Sequence, residues 1–274
     1  MKVMAKVDNR RFQYGAQDYA AYLETAEGRL RSDLAFANLE DFLPRPPQIN
    51  AWSALDVGCG TGAAGIRLAR LGIHVTLLDS SQSMLDIAKY AAQESGVVDN
   101  ITLRHGDAAQ LGSLFPTESF DVILCHNTLE YVDDPIAVLR GAAGALRNSS
   151  AIMSILVRNR VGEVLKAAIQ AGDLATAERN LTAEWGQESL YGGKVRLFSP
   201  GSLQTMLKAA SLATIAERGI RVLADYLPPQ VSRTVEYERI FELERKLGRR
   251  PDFAAVARYT HCLAHYPDRV ESST

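Results

Sequence analysis

Leu55–Leu68, LDVGCGTGAAGIRL, decides what the rest of the chain must build. A short apolar strand (Trp52, Ala54, Leu55, Val57) breaks into three alternate glycines, Gly58, Gly60 and Gly62, and then a helix begins. Glycine at these positions permits a tight strand-to-helix turn with φ > 0. Without a β-carbon, it also lets a ligand lie against bare backbone at Gly58-Cys59-Gly60. The helix N-terminus that follows offers free N–H groups to a polar or anionic ligand. Asp56 stands in the strand two residues before the first glycine. A carboxylate there can hold the turn through backbone N–H groups and, through water, meet an ammonium group.

Outward from this turn, helix and strand signals alternate. Ile73–Leu78 is β-rich and ends in Asp79, and Ser80 or Ser81 can cap a helix through Met84, Leu85, Ile87, Ala88 and Ala91 that stops at Gly96. Ile101–Leu103 is a short strand leading to Gly106-Asp107. Phe120–Cys125 is almost continuously apolar, as expected where both sheet faces are covered. Asp133-Asp134-Pro135 opens the next helix, and Ile152–Val157 is a fifth strand. The repeat predicts a parallel, doubly wound sheet with right-handed crossovers. Residues 8–43 read as helical up to the Pro44–Pro47 break, with Leu30, Leu34, Phe36, Ala37, Leu39 and Leu43 at roughly helical spacing. Residues 158–198 interrupt the rhythm with two helix-like stretches (163–170 and 173–184) and then Gly192-Gly193. Such an insertion either overhangs the ligand-binding ends of the sheet or is a plain packing excursion. Ser199-Pro200 opens another helix, Ile215–Val222 suggests a strand, Val231–Leu247 a charged amphipathic helix, and residues 257–266 the last strand.

The bulk numbers narrow the class. The chain has 274 residues, 47% hydrophobic and 23% charged, which suits one large α/β domain with a cap or two small domains. No apolar run is long enough to span a bilayer, and the N-terminus lacks the apolar core of a secretion signal. Cys59, Cys125 and Cys262 lack metal-like spacing and read as buried free thiols, so a cytoplasmic location is expected and no metal is. A net charge of −2 gives no global pull toward nucleic acid or acidic lipid.

Side-chain chemistry separates two cofactors that the glycine turn alone allows. The turn also fits the dinucleotide fingerprint G-x-G-x-x-G/A through Ala63, which keeps an NAD-dependent oxidoreductase open. Asp79 ends the second strand, where a carboxylate can accept both hydroxyls of a ribose, with Ser80 and Met84 following it. After the third strand, Asp107 can take an adenine amino group while the Ala108 N–H faces the ring. Asp56 and the Gly106-Asp107 element favour a ligand with an ammonium and a sulfonium in place of a pyrophosphate, which is S-adenosylmethionine (product S-adenosylhomocysteine). His126, at the end of the fourth strand, stands against the glycine turn as a general base, a cofactor neighbour or a structural histidine. No Ser-His-Asp grouping or metal cluster has recognisable spacing.

The order LDVGCGTG, LLDSSQSMLDIAK, HGDAAQL and FDVILCHNTLEYVDDP resembles class I S-adenosylmethionine-dependent methyltransferases over roughly residues 50–157. A narrower resemblance extends through Gly28-Arg29-Leu30-Arg31, Gly219-Ile220-Arg221-Val222, Asp225-Tyr226-Leu227, Tyr237-Glu238 through Leu243-Glu244, and Ala257-Arg258-Tyr259-Thr260-His261. These segments are similar to bacterial tRNA 5-carboxymethoxyuridine methyltransferases, and the similarity thins between 158 and 198. The resemblance implies an α/β fold, a Rossmann-like doubly wound seven-stranded sheet with N-terminal helices and a helical insertion after strand five. It implies an N-terminal segment, residues 1–48, covering the cofactor, and a methyltransferase domain over 49–274 with the insertion at about 158–198. It further implies that Arg31, the Gly58-Cys59 turn, Asp79, the position around Ala108, and His126 line the cofactor.

Methylating a carboxylate needs alignment and exclusion of water more than a base, since the nucleophile is already anionic at neutral pH. A bidentate arginine would position it. Arg221 with Tyr226, Arg158 or Arg160 opening the insertion, and Arg258 are the candidates. The acceptor is expected to be 5-carboxymethoxyuridine in tRNA or, alternatively, a small-molecule carboxylate or hydroxyl. A nitrogen or phenol acceptor would lean on His126. No membrane partner is expected, and oligomeric state is not legible.

Overall fold

Where one strand of the β–α rhythm stops, the next stops beside it, and this common edge carries the site. A computed structural model describes residues 10–45, 48–188, 190 and 192–267. β1 (Ser53–Val57), β2 (His74–Asp79), β3 (Ile101–His105), β4 (Val122–His126) and β5 (Ile152–Arg158) pair in parallel. A two-stranded hairpin follows, β6 (Trp185–Gln187) and β7 (Lys194–Arg196), and then β8 (Ala213–Ile220) and β9 (Tyr259–His265). The seven-stranded sheet has the order β3-β2-β1-β4-β5-β9-β8. The order reverses between β1 and β4, which leaves a crevice at their C-terminal ends.

The sheet is mixed, not parallel throughout. β9 runs antiparallel to both β5 and β8, so it alone is reversed. The cause lies in the connection before it. After β8 the chain forms α11 (Tyr237–Gly248) and α12 (Pro251–Ala254) without returning to the opposite edge. Arg258 N–H donates to Arg221 O at 3.0 Å, so β9 begins where β8 ended and must run back. A strand buried on both faces has no sequence signature of direction.

Three helices precede the sheet: α1 (Arg10–Tyr14), α2 (Ala16–Glu24) and α3 (Ala26–Glu40). Leu30, Leu34 and Ala35 of α3 pack on Leu156, Ile220 and Tyr259, which fixes α3 over the β5–β9–β8 side. Each such leucine contributes about 1.5–3 kcal/mol on burial. α4 (Ala63–Arg70) and α5 (Gln82–Glu94) serve the β1–β2–β3 side, with Ser81 rather than Ser80 capping α5 through Met84 N–H. α6 (Leu111–Leu114) follows β3, and α7 (Pro135–Ala145) follows β4, capped by Asp134 with Pro135 in its first turn. In the insertion, α8 (Arg160–Leu165) starts three residues early because Asn159 caps it, and a π-helical turn (Lys166–Gln170) and α9 (Leu174–Asn180) follow. Gly192-Gly193 falls between β6 and β7, while Tyr191 lies outside the described residues. α10 (Pro200–Ala209) opens on a Ser199–Ser202 capping box. α11 begins at Tyr237 rather than Val231, because Val231 N–H donates to Pro228 O (3.0 Å) in a turn of its own. No helix among the described residues is long and apolar enough to cross a membrane.

α11 is seated by Gly248, whose backbone meets Gly219 of β8. A β-carbon on Gly248 would lie 2.1 Å from the Gly219 carbonyl oxygen, and backbone cannot yield as a side chain can. Gly248→Ala is expected to destabilise the fold by about 2–4 kcal/mol in chemical denaturation. An unchanged denaturation midpoint would show that the helix is not held this way.

Candidate active site

The glycine turn is held from two sides. Gly58, Gly60 and Gly62 have φ of 64°, 54° and 79°, the left-handed region that a β-carbon disfavours. A β-carbon on Gly58 would also fall 2.6 Å from Thr128 Oγ1, a hydroxyl that donates to Val57 O at 2.7 Å. Asp79 accepts from Gly60 N–H and from Ser81 N–H, both at 2.8 Å, and so couples the end of β2 to the turn after β1. Burial pushes its carboxyl upward while these N–H groups pull it back. Asp56 Oδ2 accepts from Gly65 N–H at 3.1 Å, and burial lifts its carboxyl to about 7.

A cavity of about 410 Å³ opens over the strand ends. On the β3–β2–β1–β4 side its wall includes Gly58, Gly60, Asp79, Ser80, Met84, Asp107, Ala108 and His126. On the β5–β9–β8 side it includes Arg158, Arg221 and Arg258, with Arg31 descending from α3. Asp56 and Cys59 instead border a smaller recess behind the turn, and Gly62 lies on the wall of neither. Arg160 also lies off both walls, as does Tyr226, whose hydroxyl donates to Gly162 O at 3.5 Å.

The N-terminal helices and the insertion meet above this cavity. Phe12, Tyr19 and Tyr22 line it from α1 and α2, and Lys166, Glu188 and Leu190 from the insertion. Of the two readings open for the insertion, the overhang is the one realised. Arg11 Nη1 donates to Gly192 O at 3.0 Å, and its guanidinium lies 4.9 Å from the Tyr131 ring centroid. Phe12 packs edge-on against Tyr131 at 5.1 Å.

The sequence reading did not foresee how many charges are buried together. Arg31, Arg158, Arg221 and Arg258 surround Tyr259, with three guanidinium carbons 5.7–6.0 Å from its ring centroid. Arg158 pairs with Glu188 (2.7 Å) and Glu163 (3.3 Å), Arg258 with Glu163 and Asp225 (both 3.0 Å), and Arg221 with Asp225. Arg31 donates to the Tyr19 hydroxyl at 3.1 Å. The Arg258 pairs are close but poorly angled for hydrogen bonds, so its Nε and Nη1 remain without good acceptors. Arg158, Arg221 and Arg258 are therefore matched by Glu163, Glu188 and Asp225, while Arg31 forms no ion pair among the described residues. Glu130, the acid in the segment after β4, accepts from Asn127 Nδ2 and Arg158 N–H through one oxygen, and its carboxyl also faces the Arg158 charge.

Arg221 occupies its place at φ 60°, a costly conformation for a side-chain-bearing residue. Glu244 of α11 holds the following turn by accepting from Val222, Leu223 and Ala224 N–H at 2.6, 2.9 and 2.7 Å. Asp225, Glu244, Glu130 and Tyr259 all lie in segments whose similarity was noted, but nothing local assigns them a role. Burial raises the Tyr259 hydroxyl, and Arg158, Arg31, Arg221 and Arg258 together outweigh it, bringing the group down to about 8. An ultraviolet pH titration should show one tyrosine ionising near pH 8, absent from Tyr259→Phe. Identical titrations of the two proteins would refute this arrangement of charge.

Residues 54–149 match the model of a methyltransferase domain. The tRNA 5-carboxymethoxyuridine methyltransferase of Escherichia coli (strain K12) is 29% identical over 252 residues, 89% of this chain and 90% of that one. A ubiquinone biosynthesis O-methyltransferase of Hahella chejuensis is 27% identical over 180 residues, 66% of this chain and 71% of that one. In fold, the chain is similar to an S-adenosylmethionine-dependent methyltransferase of Thermotoga maritima (TM-score 0.62, 15% identity, covering 94% of this chain and 99% of that one). It is equally similar to the CcbJ methyltransferase of Streptomyces caelestis (TM-score 0.62, 18% identity, covering 93% and 98%). A mixed seven-stranded sheet with the glycine turn at its switch point, and a methyltransferase domain match over that same stretch, mark this chain as a methyltransferase with the class I fold.

Proposed function

We propose that this enzyme methylates a carboxylate oxygen, and that the carboxylate is that of 5-carboxymethoxyuridine in tRNA. The observation that carries the first part is the arginine cluster. Arg158, Arg221 and Arg258 stand on the wall facing the glycine turn, and two buried Arg258 nitrogens, Nε and Nη1, keep no hydrogen-bond acceptor, which supports a receptor for a single organic anion. The similarity to the Escherichia coli tRNA enzyme over nearly its whole length supports the second.

The residues present fit S-adenosylmethionine. The cavity has the size of a small-molecule site, and at Gly60 a β-carbon would lie 3.1 Å from the Tyr19 ring, filling space that bare backbone leaves open. Asp79 would accept the ribose hydroxyls, Asp107 the adenine amino group, and Arg31 would hold the amino-acid carboxylate, with Gly58-Cys59-Gly60 against its chain. When bound, the cofactor supplies an electrophilic methyl group on a sulfonium. The acceptor oxygen brings its own negative charge. Transfer to an oxygen that is already anionic would leave no proton for the protein to move.

The protein's share is alignment and dryness. Arg158, Arg221 and Arg258 would orient the carboxylate, while the Phe12–Tyr131 contact and the Glu188 segment keep water out from above. Asp79→Ala should weaken S-adenosylmethionine binding at least tenfold by calorimetry, about 1.4 kcal/mol. Binding equal to wild type would remove Asp79 from the cofactor site. Mass spectrometry of tRNA nucleosides from a deletion strain tests the acceptor. Loss of 5-methoxycarbonylmethoxyuridine, with build-up of the free acid, is the expected result, and unchanged levels of the ester would refute the tRNA reading.

A further inference from the structure

We infer that His126 acts in the reaction as a fixed hydrogen-bond donor, locked in its Nδ1–H tautomer by a buried chain through Ser154, His261 and Asn38. This rests on the methyltransferase reading only for what the donor meets. The chain itself is read from geometry. His126 Nε2 and His261 Nε2 each lie 2.8 Å from Ser154 Oγ, and His261 Nδ1 lies 3.4 Å from Asn38 Nδ2. Ser154 and His261 are wholly buried and Asn38 nearly so, and the two imidazole rings cross edge-on with centroids 5.5 Å apart. The chain thus crosses from α3 through β9 and β5 to β4, ending at a histidine on the cavity wall.

Its direction follows from what each group can give. The Asn38 amide nitrogen only donates, so His261 Nδ1 accepts and its proton sits on Nε2. That N–H donates to Ser154 Oγ, whose single hydroxyl proton is then directed to His126 Nε2. The remaining proton of His126 must be on Nδ1, which makes no hydrogen bond among the described residues. Both rings must be neutral for this count to hold. Burial and the facing Arg31 guanidinium bring His126 down to about 3, and burial, His126 and Arg218 across the sheet lower His261.

The consequence is chemical. The lone pair that a general base would use is already occupied by the Ser154 hydroxyl. His126 can offer a proton in a hydrogen bond to an oxygen of the cofactor or acceptor, but it does not collect one. Asn38, His261 and Ser154 are positioning residues for that donor. Methyl transfer here therefore suits an acceptor that enters ionised, and it does not suit one that must first lose a proton to imidazole.

Nitrogen-15 NMR of histidine-labelled, ligand-free protein reads the tautomer directly, with His126→Gln identifying the signal. The expected spectrum has His126 protonated at Nδ1 only. Asn38→Asp should reverse the chain, because a carboxylate accepts from His261 Nδ1–H and the protons then shift to leave His126 protonated at Nε2. Ser154→Ala, a smaller change if the buried aspartate prevents folding, should release His126 into a mixture of tautomers and lower kcat about tenfold with little change in KM. Wild-type His126 protonated at Nε2, or already mixed, would overturn the inference. So would a kcat that rises between about pH 5 and 8 through a group lost in His126→Gln. Because the NMR needs neither cofactor nor acceptor, its failure is distinct from a failure of the methyl-transfer reading.

Discussion

Burying four guanidinium groups at one sheet edge requires carboxylates to be brought to them, since an unpaired charge in that position would cost several kcal/mol. Much of the chain beyond the glycine-turn half serves that requirement. The insertion delivers Glu163 from α8 and Glu188 from beside β6, and the turn after β8 delivers Asp225. That turn carries Arg221 with left-handed backbone and is itself held by the buried Glu244 of α11. Gly248, one turn further along α11, lets the helix come close enough for Glu244 to reach. Removing any one of these elements would leave a buried cation exposed to the others or to water.

The two sides of the cavity are built on different physics. On the β1–β4 side the ligand would meet backbone and carboxylates: the glycine turn, Asp79 and Asp107. Here the side chains spend part of their capacity on the turn itself, as Asp79 does with Gly60 and Ser81. On the β5–β9–β8 side it would meet a buried lattice of arginines and carboxylates in which two Arg258 nitrogens keep no acceptor. This division suits the proposed transfer from a cationic donor to an anionic acceptor.

The alternating apolar strands, the glycine turn and the acids at strand ends were legible because each is a local pattern: period, turn conformation and spacing from the first glycine. Asp79, Asp107, Ala108 and His126 are found along one wall for that reason. Asp56 shows the limit, since two residues before the turn its carboxylate faces Gly65 behind it and not the cavity. Tyr226, read as a partner of Arg221, turns instead to Gly162 O, and Tyr22 takes that place against the guanidinium at 3.1 Å.

What the sequence determined by itself was the sheet's parallel half and the glycine turn after its first strand, because hydrophobic periodicity and glycine backbone freedom act over a few residues. The tertiary structure decided the reversal of β9, the overhang of the insertion, the arginine–carboxylate lattice around Tyr259 and the direction of the Asn38–His261–Ser154–His126 chain. In that chain, groups 28 to 223 residues apart come within hydrogen-bond range, and throughout these features pairing is set by the shared need to satisfy buried charge and polar atoms.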